Sequence, residues 1–301
     1  MVIVDSIGGI KRVLMDWLNL PMPGASASAE SDLINYPSHT PASFTGFRST
    51  VVLLLSTLFL TSPLQAGVTD IQDAINKSGK QRMLTQKIMG SYAMLGVNFQ
   101  PKKSKQRLQD SIALFESQLS DLKGYQVNDA VSRQFDAVEK LWTPLKEQLS
   151  AEPEMGKAVA ISKGLDGLMA SSDKAVLLIT KASGTAAGEI VNISGRQRML
   201  SQRMNALYML RVWGVKGFDY EAAFNKAVNE FNVSHSKLVN SKLTRGEIKK
   251  KLDLTEKSFI WFERSTMKQT GTYVPALVLR AADRILGHMN AATMLYANLK
   301  K

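Results

Sequence analysis

Two short stretches of this sequence carry residues whose types and spacing point to chemistry. The first is Asn76-Lys77-Ser78-Gly79-Lys80-Gln81-Arg82-Met83-Leu84-Thr85-Gln86, and the second is Asn192-Ile193-Ser194-Gly195-Arg196-Gln197-Arg198-Met199-Leu200-Ser201-Gln202. On a helix advancing about 100° per residue, Asn76, Gly79, Arg82, Met83, Gln86 and Gly90 fall within about 60° of one line. Asn192, Gly195, Arg198, Met199, Gln202 and Ala206 form the matching stripe. Such a stripe is too polar for an ordinary core face. A glycine inside a helix costs about 1 kcal/mol relative to alanine, and it is tolerated where another backbone or a ligand comes close. A guanidinium offers a planar fork of donors that fits an oxyanion.

If Arg82 and Arg198 face one another, two charges about 4 Å apart repel by roughly 4 kcal/mol at an effective dielectric near 20. A planar oxyanion between them would reverse that sign, with the amides of Asn76, Gln86, Asn192 and Gln202 as further donors. The bland reading stands beside this one. Each arginine would pair with a core carboxylate and the glutamines would bridge helices, giving a buried polar seam with no ligand. The residues alone leave both open.

The elements that must position these stripes follow from the repeat. Beyond the two motifs, Tyr92 and Tyr208 stay in register, as do Phe115 and Phe231, then Leu122 and Leu238, with Trp142 and Trp261 at close to equivalent places. Between them, Leu108, Ile112, Phe115, Leu119 and Leu122 recur at three and four residues, the spacing of one helix face. Val131, Phe135, Val138, Leu141, Trp142 and Leu145 do the same, and so do Ile161, Leu165, Leu168 and Met169, continuing toward Val176 and Ile179. Breaks are expected at Pro101, Gly124, Pro153, Gly217, Gly246 and Gly271. The expected fold is all-α: tandem up-down four-helix bundles related by an internal repeat, over residues 67–182 and 183–301. Near Ser183-Gly184-Thr185 the chain either turns, placing the bundles side by side, or runs straight through and stacks them.

Composition removes several classes. The 301 residues contain no cysteine, so disulfides, thiolate metal sites and cysteine nucleophiles are out. His39, His235 and His288 are isolated, no metal-ligand spacing occurs, and no serine has the strand-turn-helix setting of a nucleophile elbow. Neither a metal nor a cofactor is expected, and the chain reads as a non-enzyme. Arg48, the apolar run from Val51 to Leu60, Pro63 and a small residue at Ala66 describe a signal peptide over 48–66. Residues 1–50, in which Pro21 to Ser43 is rich in Ser, Ala and Pro, read as a disordered leader or a misplaced start. The product is then periplasmic or secreted. There the net charge of +12 points to small anions, acidic lipid or polyanionic surface material and not to nucleic acid. The clusters Lys102-Lys103-Ser104-Lys105 and Lys249-Lys250-Lys251 read as solvated helix surfaces.

Ala74-Ile75-Asn76-Lys77-Ser78-Gly79-Lys80-Gln81-Arg82-Met83 closely resembles the periplasmic nitrate/nitrite-recognition helix of NarX- and NarQ-type sensor kinases. Both copies, above all Ser194-Gly195-Arg196-Gln197-Arg198-Met199-Leu200-Ser201-Gln202-Arg203, resemble the N-terminal domain of type IV pilus methyl-accepting chemotaxis transducers, the PilJ-type domain. In the nitrate sensors two motif helices from two subunits meet and paired arginines hold the anion. The resemblance implies that role for Arg82 and, by repetition, Arg198. It also implies a place for Lys77, where the second copy has Ile193. Gln86 departs from the kinases, which carry an aromatic there. These 301 residues show neither a kinase transmitter nor a methyl-accepting tail, so a membrane receptor or transducer is the expected relay. One chain then carries both halves of a site, or each motif pairs with its twin in a homodimer. The expectation is a non-catalytic binding protein for a small anion, nitrate or nitrite by resemblance, at Asn76, Lys77, Gly79, Arg82, Gln86, Asn192, Gly195, Arg198 and Gln202. The rival is a structural or interaction protein of the cell envelope or of the pilus and chemotaxis machinery that binds a protein or polyanion and no small ligand.

Overall fold

The computed structural model describes residues 67–266 and 273–299. The leader, the signal-peptide segment and Gly271 lie outside them. The described residues form eight helices and no strand: α1 (Ile71–Gly96), α2 (Pro101–Gly124), α3 (Asp129–Ser150), α4 (Met155–Ser183), α5 (Ala186–Trp213), α6 (Tyr220–Val239), α7 (Gly246–Thr266) and α8 (Pro275–Ala297). The fold is the expected all-α one, with α1–α4 repeated by α5–α8. No helix among the described residues is long and apolar enough to cross a membrane.

Local chemistry sets the helix ends. The side chains of Asp70, Asn128, Thr185 and Asp219 each accept a backbone N–H in the first turn of α1, α3, α5 and α6. Each satisfies a donor that a helix start leaves without a partner. Between the repeats the chain turns. Ser183 ends α4, Gly184 takes the left-handed φ of +59° that ends a helix without a Cβ penalty, and Thr185 caps α5. The turn brings the two motif helices together.

α1 and α5 lie side by side, parallel and in register: Gly79 faces Gly195, Gly90 faces Ala206, and Gly96 faces Trp213. Around this central pair, α2 and α4 pack on α1, and α6 and α8 pack on α5, while α3 and α7 cover α4 and α8. α1 and α5 are therefore buried all round. Ser78, Gln81 and Thr85 are buried as fully as the polar stripe, as are Ser194, Gln197 and Ser201. Buried amides need partners, and the repeat supplies them in duplicate. Gln81 Nε2 donates to the Phe115 carbonyl at 3.1 Å and Gln197 Nε2 to that of Phe231 at 2.7 Å. Tyr92 Oη accepts the Glu154 N–H at 3.0 Å and Tyr208 Oη the Val274 N–H at 2.7 Å, so each motif helix anchors the start of its own fourth helix.

The apolar faces expected from spacing pack inward, with each fully buried Phe or Leu contributing about 1.5–3 kcal/mol. Two positions differ. Leu141 is exposed beside the buried Trp142. Trp261, expected near the equivalent place to the buried Trp142, is 51% exposed. Phe115 packs on Trp142 at 4.4 Å between ring centroids and Phe231 on Phe259 at 4.2 Å, so Phe259 is the counterpart of Trp142. The run Phe259-Ile260-Trp261-Phe262 is apolar at every position, which leaves spacing nothing to choose a face by. The lysines at 102, 103, 105, 249 and 250 are exposed, in keeping with solvated surfaces.

Candidate functional site

Gly79 and Gly195 bring the backbones of α1 and α5 close together in the middle of the motif. A Cβ on Gly79 would lie 3.0 Å from Arg198 Nη2 and 3.5 Å from Arg82 Nη2, and one on Gly195 would lie 3.2 Å from Arg198 Nη2 and 3.1 Å from Arg82 Nη2. Both guanidinium groups thus converge on the gap that the two glycines leave. Arg82 and Arg198 are the two largest wholly buried side chains in the described protein.

Their partners are related by the repeat. Arg82 Nη2 donates to the Asn192 carbonyl at 3.2 Å, and Arg198 Nη2 donates to the Asn76 carbonyl at 3.1 Å. Each arginine reaches across to the asparagine of the opposite motif. The Nε–H of both is buried with no acceptor, a costly state for a charged donor.

The second contact of each arginine differs. Arg82 Nη1 is paired with the Asp173 carboxylate of α4. Arg198 Nη1 donates to the side-chain oxygens of Asn76 at 2.9 Å and Asn290 of α8 at 3.3 Å. Asp173 follows Asp166 by two helical turns, and Asn290 follows Asp283 by the same two turns, so Asn290 stands where Asp173 stands in the first repeat. Arg198 is consequently a buried guanidinium whose nearest polar contacts are neutral. Burial first, and then the charge of Arg82, push it down to about 9, which still leaves it protonated at neutral pH. Arg82 is also lowered by burial, but Asp173 opposes the shift.

One turn further along lies a second polar layer. Arg203 of α5 binds both oxygens of Asp166 on α4, at 2.6 and 3.3 Å, and Gln86 Nε2 donates to the same carboxylate at 3.1 Å. Arg107 of α2 binds both oxygens of Asp283 on α8, at 3.0 and 2.6 Å, and donates to Gln202 Oε1 at 3.2 Å. Each repeat thus gives an arginine to the other's aspartate. Gln86 and Gln202 belong to these bridges and do not touch the guanidinium pair.

Of the residues singled out by sequence, Asn76, Gly79, Arg82, Asn192, Gly195 and Arg198 come together. Lys77 turns away, toward Asp73 at 3.3 Å and Asp121 on α2 at 3.5 Å. A shallow groove of about 420 Å³, lined by Arg196, Glu230 and Lys237 among others, opens on the outer face of α5 and α6 and meets the cluster only through Asn192. Asp173, Asn290, Arg107, Arg203, Asp166 and Asp283 escaped the sequence reading. A signal existed for four of them, because aligning Asp166 and Asp173 with Asp283 and Asn290 extends the repeat into the fourth helix.

The same motif helices decide the family. Residues 71–164 and 179–257 match the PilJ family, described as the N-terminal part of type IV pili methyl-accepting chemotaxis transducers. The chain belongs to the PilJ family. That class is sensory and non-enzymatic. The two matched stretches contain α1 and α5 with all their motif residues, and they leave out Asp166, Asp173, Asp283 and Asn290. The PilJ match therefore covers the guanidinium pair but not the side chains that set its charge balance. No curated protein and no solved structure matches the chain.

Proposed function

We propose that this PilJ-family protein is a periplasmic, non-catalytic sensor domain that binds a small planar oxyanion, nitrate or nitrite foremost, at Arg82 and Arg198. The observation that carries the reading is the convergence of two wholly buried guanidinium groups on the glycine-lined gap between α1 and α5. Two like charges in a buried site repel, and a bound anion with acceptors on each side converts that repulsion into attraction. Both orphaned Nε–H donors support the same reading. Asn76 and Asn192 orient the arginines, and Gln86 and Gln202 steady the next turn through the cross-repeat bridges.

No bond is made or broken in this mechanism. The anion stabilises whichever packing of α1 on α5 best encloses it and so shifts the population of that packing. Tyr92 and Tyr208 tie each motif helix to the start of its fourth helix, so a shift of the central pair is passed to α4 and α8. A membrane receptor or transducer then reads the change.

A second reading has its own observation. The Arg82–Asp173 pair and the two bidentate bridges are what a polar seam holding two repeats in register would contain. Under it the protein is an envelope interaction protein with no small ligand.

Thermal unfolding of the protein with nitrate, nitrite, chloride and sulfate at matched ionic strength separates the two. A ligand at about a hundred times its Kd adds about 2.7 kcal/mol, which raises Tm by roughly 5–10 °C at this size. The sensor reading expects that rise with nitrate or nitrite and its loss in Arg198→Ala. Small equal shifts with every anion leave the polar-seam reading standing.

A further inference from the structure

We propose that the two halves of the arginine cluster have diverged in charge, so that Asp173 balances the charge of the Arg82 half while the Arg198 half, with Asn290 in the corresponding place, takes one monovalent anion. The proposal rests on the anion-binding reading above and assigns to Asp173 and Asn290 the choice of ligand charge.

The argument begins from a count of charges in the buried cluster. Among the groups joined directly by ion pair or hydrogen bond, two guanidinium groups and one carboxylate leave a single positive charge. A monovalent anion against Arg198 cancels it. A divalent anion would leave a net negative charge beside two wholly buried side chains, and an unbalanced buried charge is costly. Carboxylates on both sides would leave nothing for an anion to neutralise, whereas asparagines on both sides would leave two unbalanced cations and favour a dianion. Of these arrangements, the one present is suited to a monovalent ligand.

A second break in the repeat falls on the same side. On α5, Arg196 is paired with Glu230 of α6 at 3.1 Å. Its counterpart on α1 is Lys80, and the residue before Phe115, where Glu230 precedes Phe231, is Leu114. Lys80 sits one turn beyond Asn76, the residue that holds Arg198 by both its carbonyl and its side chain. Burial and then the charge of Arg198 lower the Lys80 ammonium, which places Lys80 in the electrostatic reach of the Arg198 half. Asn290 in the place of Asp173 thus removes a carboxylate from beside one arginine and keeps it beside the other, and Leu114 in the place of Glu230 leaves Lys80 without the α2 counterpart of the partner that Arg196 has. Arg198 Nε, like Arg82 Nε, is buried without an acceptor, and on the half that lacks a carboxylate it is the donor offered to the ligand.

The test uses the full chain with sodium nitrate and sodium sulfate as probes, by calorimetric titration, with circular dichroism reporting the fold. Asn290→Asp gives Arg198 the partner that Arg82 has, so nitrate affinity should fall at least tenfold while Tm holds or rises. Asp173→Asn should keep nitrate binding and gain a response to sulfate. The exchange Asp173→Asn with Asn290→Asp moves the uncompensated half to Arg82 and should restore nitrate binding, which guards against a folding defect in either single variant. Lys80→Gln should weaken nitrate several-fold. Nitrate binding by Asn290→Asp at the native affinity, or loss of binding in the exchanged variant, overturns the proposal and leaves the sensor reading intact. Absence of nitrate binding by the native chain overturns both.

Discussion

Gly79 and Gly195 meet backbone to backbone where α1 crosses α5: a Cβ on Gly79 would lie 3.8 Å from the Gly195 Cα, and one on Gly195 3.7 Å from the Gly79 Cα. That contact is ordinary in distance. The tight contacts are with the guanidinium groups, at 3.0 to 3.2 Å. The glycines therefore make room for the arginines more than for each other.

Gly79→Ala sets two effects against one another. Alanine gains about 1 kcal/mol of helix propensity, and its methyl presses on Arg198 Nη2. Arg198 is held by three hydrogen bonds, so it gives way only by stretching them. The expected outcome is a Tm within a few degrees of native together with a weakened anion response. Gly79→Val has no room at all and should cost more than about 2 kcal/mol by overpacking. Thermal unfolding of both variants, with and without nitrate, checks the pair.

The two arginines should differ in what their loss costs. Arg82→Met strands the partly buried Asp173, and removing one partner of a buried ion pair costs about 3–5 kcal/mol. Arg198→Met removes a charge with no carboxylate partner and replaces it with an apolar chain of similar length. It should cost clearly less, and Asp173→Leu added to Arg82→Met should recover part of the first loss. Urea midpoints of the three variants decide this. Equal losses for Arg82→Met and Arg198→Met would mean that Arg198 has a compensating charge.

At the far end of the central pair, a Cβ on Gly96 would lie 2.2 Å from a ring carbon of Trp213. That indole packs edge to face on Tyr92, with ring centroids 5.9 Å apart, and aromatic pairs of this kind resist displacement. Gly96→Ala should destabilise the protein by about 1–3 kcal/mol, measured by denaturant unfolding. A native midpoint would mean that the indole turns aside freely.

His235 gives a pH dependence of definite sign. It stacks on Phe231, with centroids 6.0 Å apart, and both ring nitrogens are buried without a partner. Burial lowers its pKa, and Glu256 and Asp253 oppose the shift only in part. The unfolded chain, with a histidine near about 6.5, then binds the proton more readily than the folded one. Stability is present above that value and declines as the pH falls below it. His235→Phe removes the titration, so its Tm should fall less than that of the native protein between pH 7.5 and 5. Parallel curves would place the acid sensitivity elsewhere.

Much of this was legible from residues alone, and the reasons for the rest are physical. The stripe holding Gly79 and Arg82 was visible because helix periodicity places residues on a face and because the stripe occurs twice. What lay opposite was not visible, since periodicity says nothing of partners. Side-by-side packing was chosen by the turn at Gly184, whose left-handed backbone is a local property with a global result. Asp173 and Asn290 went unread because the resemblance of α4 to α8 is slight outside those positions. Trp261 was misplaced because an unbroken apolar run has no period.

The two-residue turn at Gly184 and Thr185 has a further consequence. Two separate subunits would form this helix pair only at sufficient concentration, and every substitution would appear on both sides of it. A covalent link makes the encounter intramolecular, with an effective concentration on the order of millimolar or more for so short a connection, and dilution does not undo it. It also frees each copy to drift by itself. An aspartate on one side and an asparagine on the other is an arrangement that a gene encoding a symmetric dimer has no means of specifying, and duplication within one reading frame supplies it.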